Sequence, residues 1–75
     1  MKIGYKVLIK ENTRYYNRNQ ISNPSNVVGI IVRITGPVIV VNWGKDPYSN
    51  RAITNTYRKD DLKLLHNKQI FNYIL

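Results

Sequence analysis

The 75-residue chain predicts a small all-β barrel of five short strands. Three observations carry that expectation. The stretch Val27 to Trp43 is dense in β-branched residues, which suit a pleated, half-buried surface, and is interrupted only by Gly36-Pro37. Near the N-terminus Ile3, Tyr5, Val7 and Ile9 alternate with Lys2, Gly4, Lys6 and Lys10. Clusters of Gly, Pro, Asn and Asp then separate the remaining short apolar runs.

The first strand follows from period-two alternation with lysines outward, the mark of a sheet with one wet face; Leu8 is its exception. Glu11 to Asn26 is a long polar connection rich in Asn, with Tyr15-Tyr16 set between Arg14 and Arg18. A loop of that length in a compact domain is usually functional or disordered. The aromatic pair serves either as a lid on the core or as part of a binding surface. The central hairpin turns at Thr35-Gly36-Pro37-Val38, because Gly supplies a positive φ and Pro presets φ near −65°, as a type II′ turn requires. This register pairs Ile34 with Ile39, Val32 with Val41 and Ile30 with Trp43 on the core face. Arg33 with Val40 and Ile31 with Asn42 then lie outside.

Gly44 to Asn50 is a turn cluster, and Arg51 to Tyr57 a strand in which Ile53 and Tyr57 fit the inner face while Asn55 does not. Arg58-Lys59-Asp60-Asp61 reads as a 3₁₀ turn and Leu62-Lys63-Leu64 as a short closing strand. The barrel occupies residues 1–65. The tail, 66–75, places Ile70, Phe71, Ile74 and Leu75 at the spacing of one helix face; too short to be helical alone, it docks on the barrel or on a partner. Contact between two tails would give a weak homodimer of an otherwise monomeric chain.

The length makes one domain, which buries only roughly 60% of its unfolded surface. No Cys is present, so disulfides and thiolate zinc sites are excluded. The longest apolar run is far short of the roughly 20 residues that span a bilayer, and Met1 to Lys6 lacks the pattern of a secretory signal. A cytoplasmic protein with no membrane association is expected (the host cytoplasm, if a phage encodes it). The formal net charge of +8 favours anionic partners, nucleic acid first and acidic protein surfaces second.

Catalysis needs a nucleophile with a base, or paired carboxylates. The single His is His66, the acids are Glu11, Asp46, Asp60 and Asp61, and no catalytic or phosphate-binding motif occurs. Asp60 and Asp61, amid Arg58, Lys59 and Lys63, read as charge balance and turn capping. No enzyme, metal site or cofactor is expected. What is left is binding through cations and aromatic faces: Arg14, Tyr15, Tyr16 and Arg18 in the first loop, Lys45 and Tyr48 around the third, and Arg33 on the outer sheet face. Cations neutralise phosphates and tyrosines stack on bases, so these residues are candidates for DNA or RNA binding if the loops converge on one rim.

With the strands placed, the chain resembles SH3-like small barrels. Gly4 with Val7, Gly29 with Ile31, Ile39 with Val41 and Trp43, Asn55 with Tyr57-Arg58, and Asp61-Leu62 are similar to the mind-bomb type of repeat and to small phage-encoded proteins of that shape. Gly29 to Ile34 resembles KOW barrels, which implies RNA or DNA contact. Gly4 to Val7, Glu11 to Tyr16 and Gly29 to Ile31 look like small subunits of photosynthetic electron-transfer complexes. The mind-bomb likeness implies peptide binding and gives Gly29, Trp43 and Tyr57-Arg58 roles in the fold. Two readings follow: a basic nucleic-acid-binding module of low sequence specificity, or an adaptor that docks on a host protein and uses Ile70, Phe71, Ile74 and Leu75 as an apolar anchor.

Overall fold

The computed structural model describes residues 1–16 and 20–65. Its five strands are β1 (Lys6–Ile9), β2 (Gly29–Thr35), β3 (Val38–Lys45), β4 (Ala52–Tyr57) and β5 (Leu62–Leu64), with a 3₁₀ turn at Lys59–Asp61. They form one antiparallel sheet in the order β4-β3-β2-β1-β5. The fold is all-β and SH3-like, with the long first loop and the 3₁₀ turn where the sequence places them. The sheet is open, however: β5 is three residues long and its ladder runs to β1, leaving β4 and β5 as the two edges. Among the described residues no helix is long and apolar enough to cross a membrane. The tail, with Ile70, Phe71, Ile74 and Leu75, lies outside the described residues.

The hairpin forms at the expected turn. Gly36 has φ 56°, which a β-carbon would strain, and Thr35 pairs with Val38. Ile34 then pairs with Ile39 and Arg33 with Val40, as the register requires. Beyond that point a β-bulge intervenes, so Ile31 pairs with Val41 and Ile30 with Asn42. One extra residue on β2 moves every following side chain to the opposite face. The core positions expected for Ile30 and Val32 are thereby overturned, since each is 43% exposed while Ile31 is fully buried. Ile34 stays on the inner face but sits near the hairpin tip, 38% exposed.

The core consists of Val7, Ile9, Ile31, Ile39, Val41, Trp43, Tyr57 and Leu62. Met1, Tyr15, Tyr16 and Ile53 pack against it, so the two loop tyrosines do form a lid. β1 begins later than its alternation suggests, leaving Ile3 and Tyr5 exposed. Gly29 matters because Trp43 and Val41 cross it closely: a β-carbon there would lie 2.5 Å from Trp43 Cε3 and from Val41 Cγ1.

The long loop is tied down by one polar cluster. Tyr57 Oη accepts from Trp43 Nε1 at 3.1 Å and shares its proton between Asn23 Oδ1 at 2.7 Å and the Ser22 carbonyl at 2.9 Å. Asn55 Nδ2 donates to the same two acceptors, at 3.0 and 3.1 Å, and Asn23 Nδ2 donates to Gln20 Oε1. Asn55 thus turns inward, against expectation, because the loop brings acceptors that satisfy it. Burial raises the Tyr57 pKa above its ordinary value of 10.0, partly opposed by the bonds from Trp43 and Asn55.

Candidate nucleic-acid interface

None of the five strands carries a carboxylate. All four acids lie in turns: Glu11 after β1, Asp46 after β3, and Asp60 and Asp61 in the 3₁₀ turn. Two of them act locally. Asp46 Oδ1 accepts from the Tyr48 backbone N–H at 2.8 Å, and Asp61 Oδ2 from the Arg58 N–H at 3.0 Å. The second bond bears out Asp61 as a cap of the turn.

The pairing register places the cations. Lys6 opposes Ile30, Ile30 opposes Asn42, and Asn42 opposes Thr54, so these four form one row on the outer face. Arg33 joins that face through Val40, which lies two residues from Asn42 on β3. Lys63 joins it through Leu8, two residues from Lys6 on β1. The face therefore presents Lys6, Arg33 and Lys63 among aliphatic, hydroxyl and amide side chains, with no acid in any row. At one end lies an open groove of about 380 Å³, where Lys45 meets Val28, Ile30, Val32 and Asn42. Beyond Lys45 the chain turns through Asp46 to Arg51, and Tyr48 stands 97% exposed at the turn.

Arg14 and Tyr15 belong elsewhere. The Arg14 guanidinium lies 5.0 Å from the Tyr15 ring centroid and donates to its hydroxyl at 2.9 Å, a bond that raises the Arg14 pKa. The Tyr15 ring meets Tyr57 edge-on at 5.2 Å, and Tyr57 meets Trp43 edge-on at 5.8 Å. Together with Val38, Arg58, Asp60 and Asp61, Arg14 and Tyr15 line a second groove, of about 520 Å³. Two arginines there face two aspartates, so the groove is mixed in charge. Tyr16 is half-buried and donates to Asn26 Oδ1 at 3.2 Å.

Among the described residues the loops do not gather these candidates on one rim. The second groove includes Val38, at the start of β3, whereas Lys45 and Tyr48 lie at or beyond its end, roughly 23 Å along the strand at ~3.3 Å per residue. Arg33 and Lys45 share the outer face; Arg14, Tyr15 and Tyr16 do not; Arg18 lies outside the described residues. Lys6 and Lys63 join the face unanticipated. The outward alternation of Lys6 was visible in the sequence, but Lys63 needs the β1–β5 pairing to reach it. No protein-family model matches this chain, and neither does any curated protein or solved structure.

Proposed function

We propose that this protein is a non-enzymatic nucleic-acid-binding module of low sequence specificity that works in the cytoplasm through its outer sheet face. One observation carries the reading: a net charge of +8 on a chain whose strands hold no carboxylate, with Lys6, Arg33 and Lys63 on one face and Lys45 at its edge. Flexible cations on a sheet surface track phosphates without reading base edges, so affinity follows charge and not sequence. Tyr48, at the same end as Lys45, offers a ring for stacking on an unpaired base.

Titration of labelled single- and double-stranded oligonucleotides across a salt series tests this. The logarithm of affinity is expected to fall linearly with the logarithm of salt concentration. Replacing Arg33 and Lys45 together with Ala should flatten the slope by about two phosphate contacts' worth, while Arg14→Ala leaves it nearly unchanged. Binding that is absent at low salt, or insensitive to salt, would end the proposal.

The groove lined by Arg14, Tyr15, Arg58, Asp60 and Asp61 favours a second reading, docking on a host protein. Mixed charge beside a tyrosine edge suits a protein surface better than a polyphosphate. Capture of a protein from lysate that survives nuclease treatment and is lost in Tyr15→Ala would favour it.

A further inference from the structure

We infer that the groove at the Lys45 end of the outer face holds one unpaired base, so that the module selects single-stranded nucleic acid over duplex. The inference rests on nucleic-acid binding through that face and specifies its substrate. Two register shifts bracket the groove, one on β2 between Ile31 and Arg33, the other between Asn42 and Lys45 where β3 meets β4. Such irregularities re-aim side chains and open a sheet surface locally. Gly44 has no side chain and Ala52 only a methyl, so neither fills the space of about 380 Å³ that results. Ile30 and Val32 form its apolar wall, and both are exposed.

Asn42 adds a polar group to that wall. Its Oδ1 accepts from the Gly44 backbone N–H at 2.8 Å, which fixes the amide and leaves Nδ2 with no partner among the described residues. Every base has an acceptor nitrogen or oxygen on its rim, so a donor here orients a base without selecting one. Lys45 lines the groove, and Lys6 opposes Ile30 from β1, so a cation stands on either side for the flanking phosphates. Asp46, the acid next to Lys45, does not line the groove, and its Oδ1 holds the Tyr48 N–H. In a duplex each base is stacked on its neighbours and cannot lay a face against Ile30 and Val32, whereas in a single strand it can. Charge alone favours the duplex, whose phosphates are denser. A preference for single strands therefore reports contact with bases.

The test compares a labelled oligothymidylate with a duplex of equal length at one low salt concentration. It uses the unmodified full chain and the double variant Ile30→Thr/Val32→Thr, which removes the apolar wall but keeps charge and β-branching. The unmodified chain should bind the single strand about tenfold more tightly than the duplex, and the variant should bind the two about equally. Equal or tighter duplex binding by the unmodified chain overturns the groove inference and leaves nucleic-acid binding standing. A preference that persists in the variant does the same, since the bases then touch some other surface. Binding of neither probe removes both readings. Should the variant not fold, methyl NMR of the unmodified chain decides. The Ile30 and Val32 signals should shift with oligothymidylate and stay in place with an abasic strand of equal length. Shifts alike with both strands, or with neither, overturn the inference.

Discussion

Tyr57 joins more of the molecule than any other side chain described. Its ring stands between Tyr15 and Trp43, and its hydroxyl serves Trp43, Asn23 and Ser22 at once. Tyr57→Phe keeps the ring but leaves the buried Trp43 Nε1–H without that acceptor. The loss should be about 1–3 kcal/mol by urea denaturation. For a domain expected to have only about 4–11 kcal/mol of stability, that is a large share. The same residue gives a pH dependence. Its folded pKa is raised, so below the ordinary value of 10.0 both states carry the proton and stability does not change on its account. Above that value the unfolded chain ionises first, and stability falls as pH rises toward the folded pKa. The alkaline slope of the unfolding midpoint should therefore be shallower in Tyr57→Phe. Gly29→Ala forces a β-carbon against Trp43 and Val41, and about 1–3 kcal/mol should be lost.

Among the elements, the β2–β3 hairpin shows where legibility in the sequence stops. Gly36-Pro37 dictates a turn, and the register near it follows from the backbone geometry those two residues impose. Nothing in Ile30-Ile31-Val32 marks the bulge, because three consecutive β-branched residues satisfy either face equally well. The core list fails at Ile30 and Val32 for that reason, whereas Ile39, Val41 and Trp43 on β3, ahead of that strand's own register shift toward Lys45, are buried as expected. The bulge is open to test. Ile31→Ala should cost about 2–5 kcal/mol, whereas Val32→Thr should stay within about 0.5 kcal/mol. The reverse ranking in denaturant melts would mean a hairpin without the bulge. Arg33 and Lys45 could be chosen as binding residues from charge and position, but the grouping of cations by face needs strand pairings between residues far apart in the chain. Asn55 was the least legible of all, since an inward amide makes sense only once Ser22 and Asn23 lie beneath it.

Across the whole molecule, the acids are confined to turns, and the only charges the strands carry are the cations Lys6, Arg33, Lys45 and Lys63. The arrangement lets one sheet keep a hydrophobic face and a basic face within so short a chain. The tie between the first loop and β4 carries a further consequence, for the order of folding. Ser22 and Asn23 reach Asn55 and Tyr57 across 32 to 35 residues, so these bonds cannot form until β2, β3 and β4 are in place. The loop should close late, after the rate-limiting barrier. Stopped-flow measurements on Asn55→Ala should then show faster unfolding with an almost unchanged folding rate. The loop's ordering would act as a kinetic clasp, slowing escape from the native state while contributing nothing to the approach.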